Sequence, residues 1–374
     1  MKVLIVPDKF KGSLDAVKVC EAIEEGLRES GRQLEFKSIP MADGGEGTCD
    51  MLTQYSHGKK IKVEALDPFF RKIEGEYGIS GDGETAFIEM ANVSGLQLLK
   101  VEERNALLGT TYGTGQLIAA ALDRGVQSII LGVGGSATND AGIGMGEALG
   151  AKFYDDTGNQ LKPIGQNLKS IRSIDVKSLH PRIKEVSVTA ICDVSNPFYG
   201  IQGAAHIFGP QKGASPDVVR FLDDGLVNFA TVVQQQFGLD INFPGAGAGG
   251  GLGGGAKIFF DIQFQSGIEF IVAFIGLDAL VRESDLIITG EGKMDEQTLS
   301  GKVVKGVADL ARKSGKPLIV IAGKNELSPE KTSALGIHKA VTLVDGQTTE
   351  SEAFQTTYSL IKKRMMDEVN PFFL

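Results

Sequence analysis

The sequence predicts an α/β protein of two domains with mainly parallel sheets. Short apolar runs alternate with amphipathic stretches near both ends of the chain, a pattern typical of strands joined by helical crossovers. The 374 residues are enough for two hydrophobic cores. The chain also holds 49 glycines, close to double the usual share, and they cluster after the apolar runs.

The N-terminal stretch is typical of one strand–helix–strand unit. Residues 2–7 form a short, mostly apolar run, as expected of a buried parallel strand. A helix is predicted near 14–30, with apolar residues at four-residue spacing and Ser13 as its N-cap. A second strand is predicted near 34–39.

The same order returns late in the chain. We predict a strand at 285–289, a helix near 300–314 and further strands at 317–322 and 340–344. Because both ends share this pattern, we expect them to build one sheet. The predicted domains are therefore 1–70 plus 282–374, and an inserted second domain at 71–281.

The middle of the chain is more varied. Antiparallel strands are predicted across 73–90, around a polar turn at 80–83. The other predicted elements are a helix at 113–124, buried strands at 128–133 and 186–192, and a helix at 217–237.

Composition and charge exclude several classes of protein. The net charge of −9, without a basic stripe, argues against a nucleic-acid partner. No apolar run reaches membrane length, so no membrane partner is expected. Three cysteines without a C-x-x-C pair indicate a reduced protein, and the cytoplasm is the expected compartment. The oligomeric state stays open between monomer and homodimer.

Five glycine-rich segments follow predicted strands. Ligands of open α/β sheets bind at the carboxyl ends of strands, so we expect one site in the cleft between the two domains. The first segment holds Lys9 and Lys11 just before a helix, where an anion is favoured. The alternative is a solvated loop with an ordinary N-cap.

The second segment spans 42–48 and places Asp43 and Glu46 around paired glycines. Such carboxylates can orient a hydroxyl, accept its proton or hold magnesium. The alternative is a tight turn with acidic capping residues.

The third segment, residues 134–140, offers small hydroxyls and backbone amides that suit a phosphate or carboxylate. The alternative is an N-cap cluster, with Asp140 serving only as a cap.

The fourth segment begins with Asp193, directly after the 186–192 strand. A carboxylate there is a candidate general base or magnesium ligand. Further on, Lys212 is interpreted either as a phosphate contact or as an exposed side chain.

The fifth segment, residues 289–295 followed by 300–302, supplies two acids and two lysines after a buried strand. The alternative is a surface loop with balanced charge.

One apparent nucleotide-binding motif is set aside, and another is absent. Residues 249–254 match G-x-G-x-x-G, but no apolar strand precedes them, as a dinucleotide site requires. We interpret 245–255 as a mobile loop, such as a lid, or as a tightly packed one. A P-loop motif does not occur in the sequence.

Ordered motifs along nearly the whole chain resemble the type-1 glycerate kinases. The resemblance rests on V-P-D-K-F-K-G-S-L at 6–14, A-D-G-G-E-G-T at 42–48, Y-G-T-G-Q-L-I at 112–118, G-G-S-A-T-N-D at 134–140, D-V-S-N-P at 193–197, F-G-P-Q-K-G-A at 208–214, P-G-A-G-A-G-G-G-L-G at 244–253 and I-T-G-E-G-K-M-D-E-Q-T-L-S-G-K at 288–302. It implies phosphorylation of D-glycerate by ATP with magnesium, commonly to 2-phosphoglycerate. Lys9 stands where a serine is expected, and Lys293-Met294 where arginine-leucine is common.

Phosphoryl transfer depends on in-line placement of the reactants, magnesium and cationic groups more than on covalent catalysis. The candidate residues are assigned their roles on this basis. The candidate catalytic residues are Asp193, Asp43, Glu46, Lys9, Lys11 and Lys293; the candidate ATP-binding residues are Gly134, Gly135, Ser136, Thr138, Asn139, Gly290, Glu291 and Lys302; the candidate metal ligands are Asp193 and Asp295. Glu291 and Asp295 are also alternative metal or hydroxyl partners. A glycerate 3-kinase, a kinase for another small hydroxy acid and a non-catalytic organic-acid binder remain as alternatives.

Overall fold

A computed structural model of the chain describes residues 1–29, 31, 33–42, 47–300 and 302–369. The strands are β1 Lys2–Ile5, β2 Glu35–Ser38, β3 Lys59–Leu66, β4 Lys72–Ile79, β5 Thr85–Glu89, β6 Ser128–Gly132, β7 Lys152–Tyr154, β8 Ser173–Asp175, β9 Ser187–Ile191, β10 Ile262–Gln265, β11 Leu286–Met294, β12 Leu318–Asn325 and β13 Lys339–Thr342. The α-helices are α1 Ala16–Arg28, α2 Thr48–Tyr55, α3 Ala91–Ser94, α4 Tyr112–Asp123, α5 Ile143–Ala148, α6 Ala204–Phe208, α7 Pro216–Phe237, α8 Leu252–Gly255, α9 Gly267–Ile275, α10 Leu277–Glu283, α11 Val303–Lys313, α12 Pro329–Ala334, α13 Glu350–Gln355 and α14 Thr357–Arg364.

The chain divides into two compact units. The first unit contains Met1–Asp43 and Gly267–Leu374, and the second contains Gly44–Ser266. Both are α/β structures with mainly parallel sheets, which confirms the predicted fold class.

The first unit contains a sheet of five parallel strands in the order β13-β12-β11-β1-β2. Strands from both ends of the chain therefore share one sheet. Its buried core takes Val3 and Ile5 from β1 and Ile288 from β11, and α1 packs Val19 and Ile23 against them. All these strands run the same way, so their carboxyl ends lie at one edge of the sheet.

The second unit contains a six-stranded sheet in the order β10-β9-β6-β5-β4-β3. Strands β10, β9, β6 and β5 are parallel, while β4 is antiparallel to both β5 and β3. The predicted antiparallel pair across 73–90 is confirmed. The long helix α7 also matches its prediction, with Ser215 as N-cap and Gly238 after its end.

Two predicted boundaries need correction. Residues 47–70 belong to the second unit instead of the first, because β3 pairs with β4 along all eight of its residues. Residues 267–281 belong to the first unit, where Ile268 of α9 packs closely against Gly306 of α11.

The predicted start of α1 is also wrong. Its N-cap is Asp15, whose carboxylate accepts a hydrogen bond of 2.8 Å from Lys18 N. Ser13 instead donates from its hydroxyl to the Phe354 carbonyl at 3.0 Å. A tight turn that pairs Phe10 with Leu14 delays the helix by two residues.

Candidate functional site

A pocket of about 470 Å³ lies in the first unit, where β1, β11 and β12 end. We call it the lysine pocket. Its charged lining consists of Asp8, Lys9, Lys11, Glu291, Lys293, Asp295, Lys302, Lys324, Glu326 and Glu350. The order of the strands explains why these residues lie together, because the carboxyl ends of neighbouring parallel strands meet at one edge of the sheet. Two predicted segments, separated by almost 300 residues in the sequence, thus share one pocket.

Three of the predicted cations lie where an anion can reach them. Lys11 is exposed, and Lys302 donates to the Gln297 side chain at 3.1 Å. Lys293 pairs with Glu326 at 2.8 Å and lies 3.6 Å from Asp295. The hydrogen bond with Glu326 raises the pKa of Lys293, so this lysine is charged at neutral pH.

Glu291 is the most perturbed acid of the lysine pocket. It is 7% exposed and accepts a hydrogen bond of 2.5 Å from the Thr298 hydroxyl. Burial raises the pKa of Glu291 to about 7, and the nearby Asp8 carboxylate also acts to raise it. A carboxyl group with such a pKa can exchange a proton near neutral pH, which is typical of acid–base sites.

Asp8 is a pocket residue that the sequence reasoning missed. It is buried, accepts a hydrogen bond of 2.7 Å from Lys9 N, and its own N–H donates to the Gly290 carbonyl at 2.8 Å. The available signal was its place directly after a strand, which is the same signal that singled out Asp193.

The loop at residues 134–140 belongs to the second unit and is largely enclosed by protein. Gly134 and Gly135 are exposed, whereas Ser136, Thr138 and Asn139 are buried. Their role as a phosphate cradle stays a prediction. In the described part of the chain, the Thr138 hydroxyl and both polar atoms of the Asn139 amide are buried without a hydrogen-bond partner.

Asp140 holds the local backbone together. Its carboxylate accepts hydrogen bonds from the N–H and hydroxyl of Thr111, at 2.7 and 2.8 Å, and from Gly142 N and Gly144 N, both at 3.2 Å. The N-cap of α5 is Gly142, so Asp140 is not the cap itself, but it bonds to Gly144 N in the first turn of that helix. Burial raises the pKa of Asp140, and the four hydrogen bonds oppose that rise.

Lys212 is buried beneath the same loop, so the exposed interpretation is wrong. Its Nζ donates to the Ser136 hydroxyl at 2.7 Å and to the Thr138 carbonyl at 2.6 Å. Burial lowers the pKa of Lys212 to about 7, while the Asp140 carboxylate partly opposes this shift. Sequence reasoning could not find the contact, because 74 residues separate Lys212 from Thr138.

The glycine run at 245–255 matches the tightly packed alternative. Ala141 N donates to the Gly250 carbonyl at 3.1 Å, and a Cβ on Gly250 would lie 1.9 Å from the Thr138 carbonyl oxygen. Gly255 likewise approaches the Ala141 carbonyl. These glycines let one backbone segment pack directly on another.

The remaining predicted carboxylates are divided between the two units. Asp193 is exposed just after β9 in the second unit, and Asp295 lines the lysine pocket in the first. Asp43 and Glu46 lie outside the described residues. Within the ranges that the structure describes, no three His, Cys, Asp or Glu side chains cluster as a ready metal cage.

None of the helices in the described residues is long and apolar enough to cross a membrane.

Comparisons with known proteins point to one family over nearly the whole chain. The model of the glycerate kinase family matches residues 3–370. The chain is 42% identical to the glycerate kinase of Halalkalibacterium halodurans and 42% identical to the glycerate 2-kinase of Escherichia coli, over 96% of this chain and 95% of each relative. A crystal structure assigned as a glycerate kinase 2, from Salmonella typhimurium LT2, aligns with a TM-score of 0.89 at 38% identity, over 100% of this chain and 98% of that one. The chain belongs to the glycerate kinase family.

Proposed function

We propose that this protein transfers the γ-phosphoryl group of ATP to a hydroxyl of D-glycerate, giving 2-phosphoglycerate. The observation that carries the proposal beyond family membership is the lysine pocket. It combines several lysines with a buried carboxyl group whose pKa lies near neutrality. Phosphoryl transfer depends on charge neutralisation and in-line placement, and this lining provides groups for both.

The lysines have separate tasks in this proposal. Lys9, Lys11 and Lys293 neutralise the moving phosphoryl group and the glycerate carboxylate. Lys302 and the Gly290 backbone bind the ATP phosphates. An ammonium group acts as a point charge, so Lys293 keeps the positive charge but lacks the two-pronged geometry of an arginine.

Two carboxylates compete for the role of proton acceptor. Asp193 is exposed at the end of β9, and Glu291 is buried in the lysine pocket. As the bond from the glycerate oxygen to phosphorus forms and the bond to ADP breaks, the hydroxyl proton passes to one of them. Asp43 and Glu46 would orient the glycerate hydroxyls.

Magnesium fits the proposed site. Mg²⁺ takes one or two protein carboxylates and fills its remaining positions with phosphate oxygens and water. Asp295 lines the pocket, and Asp8 and Glu291 lie close enough to interact electrostatically. When bound, the ion would neutralise charge on the transferred phosphoryl group, and Asp193 is the alternative ligand.

The 134–140 loop is proposed as a second contact for phosphate oxygens, through Gly134, Gly135, Ser136, Thr138 and Asn139. Buried polar groups without partners cost about 1–3 kcal/mol each. The unpaired groups of Thr138 and Asn139 therefore support a loop that rearranges to contact a ligand.

The proposal is tested by ADP release from ATP with D-glycerate, with and without Mg²⁺. Phosphorus NMR of the product then identifies the acceptor. The phosphorus of 2-phosphoglycerate couples to a single carbon-bound proton and gives a doublet, whereas that of 3-phosphoglycerate gives a triplet. A panel of other hydroxy acids tests the substrate, and binding of glycerate without Mg²⁺-dependent ADP release would indicate a binding protein instead.

The proton acceptor is assigned with Asp193→Asn and Glu291→Gln, using the exposed Asp156→Asn as control. Loss of the acceptor should lower kcat by about 10²–10⁴-fold, because that is the usual contribution of general base catalysis. Whichever variant keeps wild-type turnover does not carry the base.

A further inference from the structure

The lysine pocket has an apolar side that phosphoryl transfer does not explain. Phe10, Leu343, Val344, Ala353 and Phe354 line it together with the charged residues. Phe354, on α13, is 56% exposed. Single exposed apolar residues are common on proteins, but this ring faces a pocket that also contains lysines.

The surrounding chain fixes the position of Phe354. The Ser13 hydroxyl donates to the Phe354 carbonyl at 3.0 Å, which ties α13 to the loop that carries Lys9 and Lys11. The phenyl ring also lies close to Gly12, where a Cβ would be 3.4 Å from its nearest carbon. The Phe354 side of the pocket is therefore joined by direct contacts to the loop that carries Lys9 and Lys11, within the first unit.

The chemistry of this lining matches a nucleotide better than the acceptor. Glycerate has three carbons, all bearing oxygen, and gains little from an aromatic ring. ATP combines a flat aromatic base with an anionic tail, so it needs one apolar and one cationic side. The volume of about 470 Å³ is within the usual range for small-molecule sites.

We propose that Phe354 stacks on the adenine ring of ATP in the lysine pocket, with the polyphosphate directed toward Lys9, Lys11 and Lys302. This inference rests on the proposed kinase function and specifies where its nucleotide binds. Stacking uses the π-face that every base has, so Phe354 contributes affinity for nucleotides more than selection among bases.

The chain contains no tryptophan, so Phe354→Trp would carry a single tryptophan at the proposed contact. Selective excitation of this residue reports on its immediate surroundings. ATP and ADP should quench and shift its emission with saturation, whereas inorganic tripolyphosphate and D-glycerate should leave the emission nearly unchanged. Phe221→Trp, on α7 of the second unit, is the matched control and should not respond to nucleotide.

A second variant tests the same contact by kinetics. Phe354→Ala should raise KM for ATP about tenfold, as expected for the loss of one base–aromatic stack, while KM for D-glycerate changes little. Phe354→Tyr should restore most of the affinity. Because the ring is exposed, the thermal midpoint of Phe354→Ala should stay near that of the wild type.

Two results would overturn the inference. One is an unchanged tryptophan emission at ATP concentrations that saturate the kinase activity of Phe354→Trp. The other is an unchanged KM for ATP in Phe354→Ala. A wild-type protein that releases no ADP with D-glycerate contradicts the proposed function instead, and nucleotide binding to Phe354→Trp can still be measured without turnover.

Discussion

Glu291 in the first unit and Lys212 in the second are both buried ionisable groups with a pKa of about 7. Burial raises the pKa of the acid and lowers that of the lysine, because it disfavours the charged form of each. Their surroundings differ. Glu291 lines an open pocket, whereas Lys212 bonds to two protein oxygens beneath an enclosed loop.

A buried group with a perturbed pKa can therefore have one of two roles, depending on its surroundings. A group that faces a pocket can exchange protons with a ligand, and we assign Glu291 to chemistry on that basis. A group whose partners are all protein atoms holds structure, and Lys212 fixes the backbone at Thr138 and the side chain of Ser136. Substitutions in the lysine pocket and around the 134–140 loop can test whether the two regions behave in these two ways.

The largest expected effect concerns the packing of the 134–140 loop. In Gly250→Ala, the new Cβ would meet the Thr138 carbonyl at 1.9 Å, and the φ of +71° disfavours any side chain. We expect a loss of roughly 3–5 kcal/mol in the free energy of unfolding, measured by urea denaturation. Unchanged stability would contradict the packed interpretation of residues 245–255.

Gly238→Ala is the matched control, because Gly238 has nearly the same φ, +69°, but a Cβ added there would meet nothing within 4 Å. Only backbone strain destabilises this variant, so we expect the free energy of unfolding to fall by about 1 kcal/mol. The difference between the two variants measures the steric contact alone.

The next effect concerns the open pocket. Lys11→Ala removes an exposed pocket cation, so we expect kcat/KM to fall about 100-fold while stability changes by less than about 0.5 kcal/mol. Steady-state kinetics with ATP and D-glycerate measure the first quantity and thermal unfolding the second. Lys313→Ala, an exposed lysine at the end of α11, should change neither. Equal loss of activity in both variants would argue against a specific role for Lys11.

Lys212→Met should lower stability, in contrast to Lys11→Ala. It leaves the Ser136 hydroxyl and the Thr138 carbonyl without their buried donor, so we expect the free energy of unfolding to fall by about 2–3 kcal/mol. Lys169→Met, which breaks an exposed ion pair with Asp224, should cost less than about 1 kcal/mol.

The pH dependence adds a sharper test of Lys212. Its folded-state pKa lies below the ordinary value of 10.5, so its contribution to stability is full above pH 10.5 and is lost as the pH falls toward 7. The destabilisation caused by Lys212→Met should therefore shrink between about pH 10 and pH 7. A destabilisation that grows over this range would mean that the charged lysine is the stabilising form.

The sequence predicted the lysine pocket better than the 134–140 loop, and geometry explains why. Lys9, Lys11, Glu291 and Lys293 follow or occupy the ends of parallel strands, where one rule gathers residues that are distant in sequence. No comparable rule brings Phe354 to the pocket, because its position depends on how α13 packs.

The contacts of the 134–140 loop could not be predicted from the sequence. Lys212 lies in the run F-G-P-Q-K-G-A, which lacks the periodic apolar pattern of a buried helix or strand. Its burial follows from tertiary packing, as does the close approach of Gly250 to Thr138. The prediction that placed β3 in the first domain was wrong for the same reason, since neither strand alone reveals that β3 pairs with β4.

The smallest expected effect is on the pH dependence of stability in the first unit. The folded-state pKa of Glu291 is raised from 4.5 to about 7, so its contribution to stability is full below pH 4.5 and is lost as the pH rises through 7. Between about pH 5 and pH 7 this one group should remove about 2 kcal/mol from the free energy of unfolding. Glu291→Gln should abolish that part of the decline, whereas Glu283→Gln, an exposed residue of α10, should not.

The same variant separates a structural role for Glu291 from a chemical one. If Glu291 exchanges the glycerate proton, Glu291→Gln should also remove the fall of kcat/KM below about pH 7, because that limb reports the ionisation of the free enzyme's base. A variant that loses the pH-dependent stability but keeps the acid limb of kcat/KM would leave Glu291 as a buried acid only. Asp193 would then be the proton acceptor, and the functional contrast between the lysine pocket and the 134–140 loop would rest on the lysines.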